Sequence, residues 1–253
     1  MKVRAVVLVA ILATAGCARD PLEKMKPRET LEAAVRLWRE GKLPEAERHF
    51  AAALEKGRRA ELHAVEMQVY HDRVFQFYAM QGRLAEGERT FKGTQAMGTG
   101  IYVNEKAANN MAVLYARAGR MAEAKGMIEG AYYTIRQTSV SLDRRPMAVV
   151  VLANLVRIAH SAGDDWTRHY QREMTDLVKD IGRFQQSAFQ PLPPGLKTVT
   201  GRQSEYLRSI GWEAEAAALD ATVAEIEARS PSLPGPACVA YGDPSPLGCV
   251  LAY

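Results

Sequence analysis

The sequence predicts an all-α protein, an α-solenoid of stacked helical hairpins. Three observations carry that prediction. Apolar residues recur at steps of three and four: Ala108, Met111, Ala112 and Tyr115, then Ala124, Ile128, Ala131 and Ile135. Each set therefore lies on one face of a helix. Single glycines, Gly41, Gly82, Gly119 and Gly163, fall between such stripes, where a helix ends and left-handed backbone is wanted. The composition is 47% hydrophobic, 25% charged and only 8% aromatic, which suits closely packed helices in a folded chain.

The strongest unit is Asn109–Ala131. Its order of small Ala112, aromatic Tyr115, Gly119, small Ala124, bulky Ile128 and small Ala131 resembles a tetratricopeptide repeat (TPR). That resemblance implies a right-handed superhelix whose repeats span residues 27–183. The turn glycines are spaced 37 to 44 residues apart, against about 34 in a standard repeat. About seven extra residues are two helical turns, so a lengthened helix keeps its face.

The hairpins follow in order. The first pairs Glu29–Glu40, packed through Ala34, Leu37 and Trp38, with a helix opened by Pro44 and Glu45 and striped by Ala46, Phe50, Ala53 and Leu54. The second carries Phe75, Tyr78, Gly82, Gly87, Phe91 and Thr94. Gly87 stands where the family has alanine and weakens its helix modestly. Gly98 and Gly100 belong to the loop before the third hairpin. The fourth has Leu152, Val156, Ala159 and Gly163, then a helix over Asp165–Asp180. There Arg168 and Arg172 occupy the places of small and bulky apolar residues, so either the repeat is degenerate or its register differs. Residues 184–200 hold Pro191, Pro193, Pro194 and Gly195 and read as a linker. Residues 201–229 form a last hairpin around Gly211 that caps the array. Residues 230–253 read as an irregular tail, docked through Val250, Leu251 and Tyr253.

Residues 1–16 read as an export signal: Lys2 and Arg4, then the apolar run Ala5–Ala13. The run is too short for a permanent membrane span. Thr14-Ala15-Gly16-Cys17 resembles a bacterial lipobox, which implies lipidation of Cys17 and a tether over 17–26. Ordinary cleavage after Ala15, giving a soluble periplasmic or secreted protein, is the alternative. Ala18 after the cysteine favours the outer membrane by the same resemblance. Cys238 and Cys249 then remain, either as a disulfide permitted by an oxidising periplasm or as two unrelated thiols.

The chain carries no sign of catalysis. His49, His63, His71, His160 and His169 lack metal-ligand spacing, and no glycine-rich phosphate loop is present. No metal, cofactor or catalytic residue is expected. The net charge is +4; without Lys2 and Arg4, 31 basic residues face 29 acidic ones. Nothing there argues for nucleic acid.

The expected function is a non-catalytic scaffold of the bacterial envelope, tethered by Cys17, that binds another envelope protein or a peptide segment. The alternative is an accessory subunit of an envelope enzyme or of a polysaccharide or cell-wall complex. In the family that the chain resembles, the first helix of each hairpin lines the concave face. That implies a groove of Trp38 and Arg39 from the first hairpin, with Val35 beside them. Asp72, Arg73 and Gln76 come from the second, and Lys106, Asn109, Asn110 and Arg117 from the third. Asn154, Arg157 and His160 come from the fourth. Amides hydrogen-bond an extended backbone and arginines take a carboxylate in a fork. The expected ligand is an extended or helical segment carrying acidic groups or a free C-terminus. The alternative occupant is the chain itself, through Gln190–Thr200 or the tail.

Overall fold

The computed structural model describes residues 21–96, 101–138, 145–187, 195–229, 239–240 and 250–253. A short α1 (Pro21–Lys24) precedes five helical hairpins. They are α2 (Pro27–Arg39) with α3 (Leu43–Arg59), α4 (Ala64–Met80) with α5 (Leu84–Ala96), and α6 (Ile101–Arg117) with α7 (Met121–Thr138). Next come α8 (Arg145–Ser161) with α9 (Thr167–Ser187), and α10 (Leu196–Ser209) with α11 (Glu213–Arg229). The first helices α4, α6, α8 and α10 pack on one another in series and form an inner layer. Helices α3, α5 and α7 each pack against the first helix of the next hairpin, and α9 packs against α11.

The hairpin turns share one physical device. Gly41, Gly82, Gly119, Gly163 and Gly211 all have φ between 69° and 79°. Each turn closes with two bonds: at the third, Gly119 N–H donates to Ala116 O and Arg120 N–H to Tyr115 O. This is a Schellman ending, which satisfies two orphan carbonyls and needs a left-handed residue. A Cβ at Gly119 would meet nothing within 4 Å, so backbone conformation and not crowding requires glycine there. Gly87 has a different reason. A Cβ there would lie 3.0 Å from Leu114 Cδ1, so glycine lets α5 approach α6 closely.

The core runs through the whole stack in two adjoining clusters. One, around Trp38, Phe50, Phe75, Phe77 and Met111, fills the hairpins α2–α3 and α4–α5 and reaches α6. The other, around Ile128, Leu152, Leu155, Ile158, Met174 and Leu207, fills the rest. Repeated braces tie neighbouring hairpins outside this core. Arg83 lies 4.7 Å over the Tyr78 ring, binds Glu47 of α3 at 2.7 Å, and also pairs with Glu86. One repeat later, Arg120 lies 4.3 Å over Tyr115, binds Glu88 of α5 at 3.0 Å, and also pairs with Glu123. The hydroxyls of Tyr78 and Tyr115 donate to the same Glu47 and Glu88. These guanidiniums hold the Glu86 and Glu123 carboxyls below their ordinary pKa, while burial raises both phenols.

Four expectations change. The fourth repeat is in register, but one residue earlier than counted from Gly163. Thr167, Gln171, Met174 and Val178 are buried, whereas Arg168 and Arg172 are exposed. The cause is a tighter turn: Trp166 N–H donates to Asp164 Oδ1 at 2.9 Å, and Thr167 N–H and His169 N–H donate to the carbonyls three residues back, so three residues per turn bring the inner face round one residue sooner. The break expected over 184–200 is narrower, because α9 continues to Ser187 and α10 starts at Leu196 from Gly195 at φ 87°. The prolines bar a helix at and beside themselves, not six residues away. The tether carries α1, and the carbonyls of Leu22 in it and of Met25 just past it accept from Lys56 Nζ. The tail is not wholly irregular: β1 (Val239–Ala240) pairs in parallel with β2 (Val250–Leu251), in the register Val239 to Val250.

Candidate functional site

The inner layer buries polar side chains on purpose-built positions. Asn109 and Asn110 on α6 and Asn154 on α8 are each at most 1% exposed. An unsatisfied amide at that depth costs about 1–3 kcal/mol, so each must find partners. They find them partly in each other. Asn154 Nδ2 donates to Asn109 Oδ1 at 2.8 Å, Asn109 Nδ2 to Asn110 Oδ1 at 3.1 Å, and Asn110 Nδ2 to Gln76 Oε1 on α4.

The rest of their capacity is met by the chain's own last residues. Leu251 N–H donates to Asn110 Oδ1 at 2.8 Å. Leu251 O accepts from Asn109 Nδ2 at 3.0 Å and from Asn154 Nδ2 at 2.9 Å. Tyr253 N–H donates to Asn154 Oδ1 at 2.8 Å. Thus Asn154 bridges the carbonyl of one residue and the amide two residues on, as a neighbouring β-strand would. Arg117 Nη2 donates to Ala252 O at 2.9 Å, and Arg157 Nη1 donates to Tyr253 O. Arg157 is itself fixed, with Nε on Gln203 Oε1 at 3.0 Å, Nη2 on Arg202 O at 2.8 Å, and its guanidinium 5.0 Å over the Tyr206 ring. Burial raises the Tyr206 phenol above its ordinary pKa, and the Arg157 charge pulls the other way. Leu251 is 1% exposed and packs into the cluster that contains Val113 and Leu114.

Of the groove residues expected from the sequence, Asn109, Asn110, Arg117, Asn154 and Arg157 converge on the tail, and Gln76 joins through Asn110. Lys106 and Asp72 sit on the same inner layer as an ion pair at 3.2 Å. Three departures are plain. Trp38 is not in the groove: it is 4% exposed, its ring edge-on to Phe50 and Phe77, because α2 spends its apolar stripe on α3 and α4. His160 stacks edge-on with Tyr206 and Trp212, turned toward the last hairpin. Arg39 is exposed at the end of α2, and among the described residues neither it nor Arg73 contacts the tail. The described segment in the groove is the tail; of Gln190–Thr200, residues 195–200 belong to Gly195 and α10, and 190–194 lie outside the described residues. Gln203, which accepts from Arg157 and is held by a 2.9 Å bond to Gln171, is an addition of the structure; both glutamines are buried, on α10 and α9, and no local pattern marks them. Cys17, Cys238 and Cys249 lie outside the described residues. Among the described residues, no three His, Cys, Asp or Glu cluster to hold a metal, and no helix is long and apolar enough to cross a membrane.

This architecture has solved counterparts. A kinesin light chain-like protein from Podosopora anserina, with nearly identical TPR-like repeats, superimposes with a TM-score of 0.55 at 15% identity. It covers 83% of this chain and 97% of its own. A singly substituted form of that protein gives 0.56 at 15% identity, over 79% and 94%. The fold is a TPR-like α-solenoid. No protein-family model and no curated protein matches the chain. Identity this low shows the fold alone.

Proposed function

We propose that the chain is a non-catalytic scaffold of the bacterial envelope that binds a partner protein or peptide in the inner groove, tethered through a lipidated Cys17. One observation supports the binding reading above all: Asn109, Asn110 and Asn154 are buried, and the described partners that complete their hydrogen bonding are the main-chain groups of an extended segment. A groove so built is fitted to take a chain. The charged start, apolar run and Thr14-Ala15-Gly16-Cys17 of residues 1–17 support the tether. Cys238 and Cys249, outside the described residues, are then the pair that an oxidising periplasm permits to join as a disulfide.

The groove is tested with its own tail out of the way. In full-length protein carrying Leu251→Asp, partners are captured from detergent-solubilised membranes. Adding Asn110→Ala and Arg157→Ala should leave helical content unchanged and cut capture at least tenfold, about 1.4 kcal/mol. Undiminished capture with an intact fold would move the site to the outer face or the loops. The tether is tested separately. Cys17→Ser should release the protein from the detergent phase or leave it unprocessed, and a soluble mature form beginning at Gly16 would reject lipidation.

A further inference from the structure

The tail defines what the groove recognises. Its main-chain bonds read no sequence: Leu251 offers N–H and C=O to asparagines, Tyr253 its N–H, and Ala252 its C=O to Arg117. Extended geometry makes this possible, because groups two residues apart face one edge of the strand. Sequence is read at three side chains. Leu251 fills the aliphatic cluster at 1% exposure. Ala252 is only 5% exposed, so a larger side chain there must displace its neighbours. Tyr253 packs half-buried against both core clusters at their junction.

Resting on the groove reading above, we propose that the partner presents an extended segment of the pattern large aliphatic, small, aromatic, and that the tail Val250–Tyr253 is its resident competitor. A competitor joined to the scaffold by a short chain acts at an effective concentration near the millimolar range. The partner's apparent affinity is then reduced by the fraction of molecules whose groove is open. The scaffold is thereby held shut against weak or mismatched chains and opens to a segment that fits all three positions better than its own.

The test uses full-length protein and a fluorescent peptide, Gly-Val-Leu-Ala-Tyr, capped at both ends, read by anisotropy. Leu251→Asp should bind the probe at least tenfold more tightly than the unsubstituted chain, with unchanged helical content. Ala252→Lys, on the same segment but outside the aliphatic cluster, should do likewise and guards against misfolding of the first variant. A probe with aspartate for leucine, or lysine for alanine, should bind the opened groove at least tenfold more weakly. Equal binding to unsubstituted and opened protein overturns the competition. Equal binding of all three probes to the opened protein overturns the sequence pattern. Either result leaves the groove itself standing, since that is decided by the Asn110 and Arg157 substitutions and partner capture.

Discussion

Phe77→Ala should destabilise the protein by about 3–5 kcal/mol, the usual loss for emptying a buried phenylalanine site. Phe77 is fully buried on α4, and its ring lies 5.7 Å from Trp38 of α2, 5.0 Å from Phe50 of α3 and 5.4 Å from Tyr78. One side chain therefore joins three helices of two hairpins. Edge-on aromatic pairs add about 0.5–1.5 kcal/mol beyond area burial. A folded domain has only about 5–15 kcal/mol to lose, so the melting curve should shift by many degrees or split as the first hairpins unfold early. Tyr133→Ala is the control: at 63% exposure it should change stability by less than about 0.5 kcal/mol. A Phe77→Ala loss no larger than the control's would contradict a core shared between the first two hairpins.

Lys106→Met should cost nearly as much, for an electrostatic reason. Lys106 Nζ meets Asp72 Oδ2 at 3.2 Å, with side-chain exposures of 13% and 6%. Asp72 Oδ1 has no described hydrogen-bond partner, so Lys106 is the carboxylate's main compensation. Removing one member of a buried pair strands the other charge and costs about 3–5 kcal/mol. Replacing both, as Lys106→Met with Asp72→Leu, should return stability to within about 1–2 kcal/mol of the starting chain, because the desolvation of two ions goes with their attraction. Denaturant titration of the four proteins gives the coupling energy directly. A single substitution that costs under about 1 kcal/mol would mean that water reaches Asp72.

What was legible in the sequence was local. Gly41, Gly82, Gly119, Gly163 and Gly211 mark their turns because a left-handed residue is needed at one chain position, whatever surrounds it. The asparagines and arginines of the groove could be placed on a helix face by spacing. What lies in that groove could not: Leu251 meets Asn109 across 142 residues and Asn154 across 97, and no local pattern records such a pairing. Trp38 was assignable to either face because α2 starts the stack and its apolar stripe is wide. The inner stripe of α9 comes one residue early because Asp164 caps a tighter turn, a signal present in Asp164-Asp165-Trp166-Thr167 but not in the glycine spacing. The arginine braces were partly visible as Arg83 with Glu86 and Arg120 with Glu123, each just past a turn glycine. Their partners Glu47 and Glu88 come from the preceding hairpin.

The groove holds extended backbone through its asparagines, and amide hydrogen exchange at two residues tests that most directly. Leu251 N–H is given to Asn110 and Tyr253 N–H to Asn154. In the full-length protein both amides should exchange at least about tenfold more slowly than in a free Gly-Val-Leu-Ala-Tyr peptide. Asn154→Ala should strip that protection from Tyr253 first, since Asn154 Oδ1 is its acceptor. Exchange of both amides at the free-peptide rate, in a chain whose helices remain protected, would contradict a tail seated in the groove.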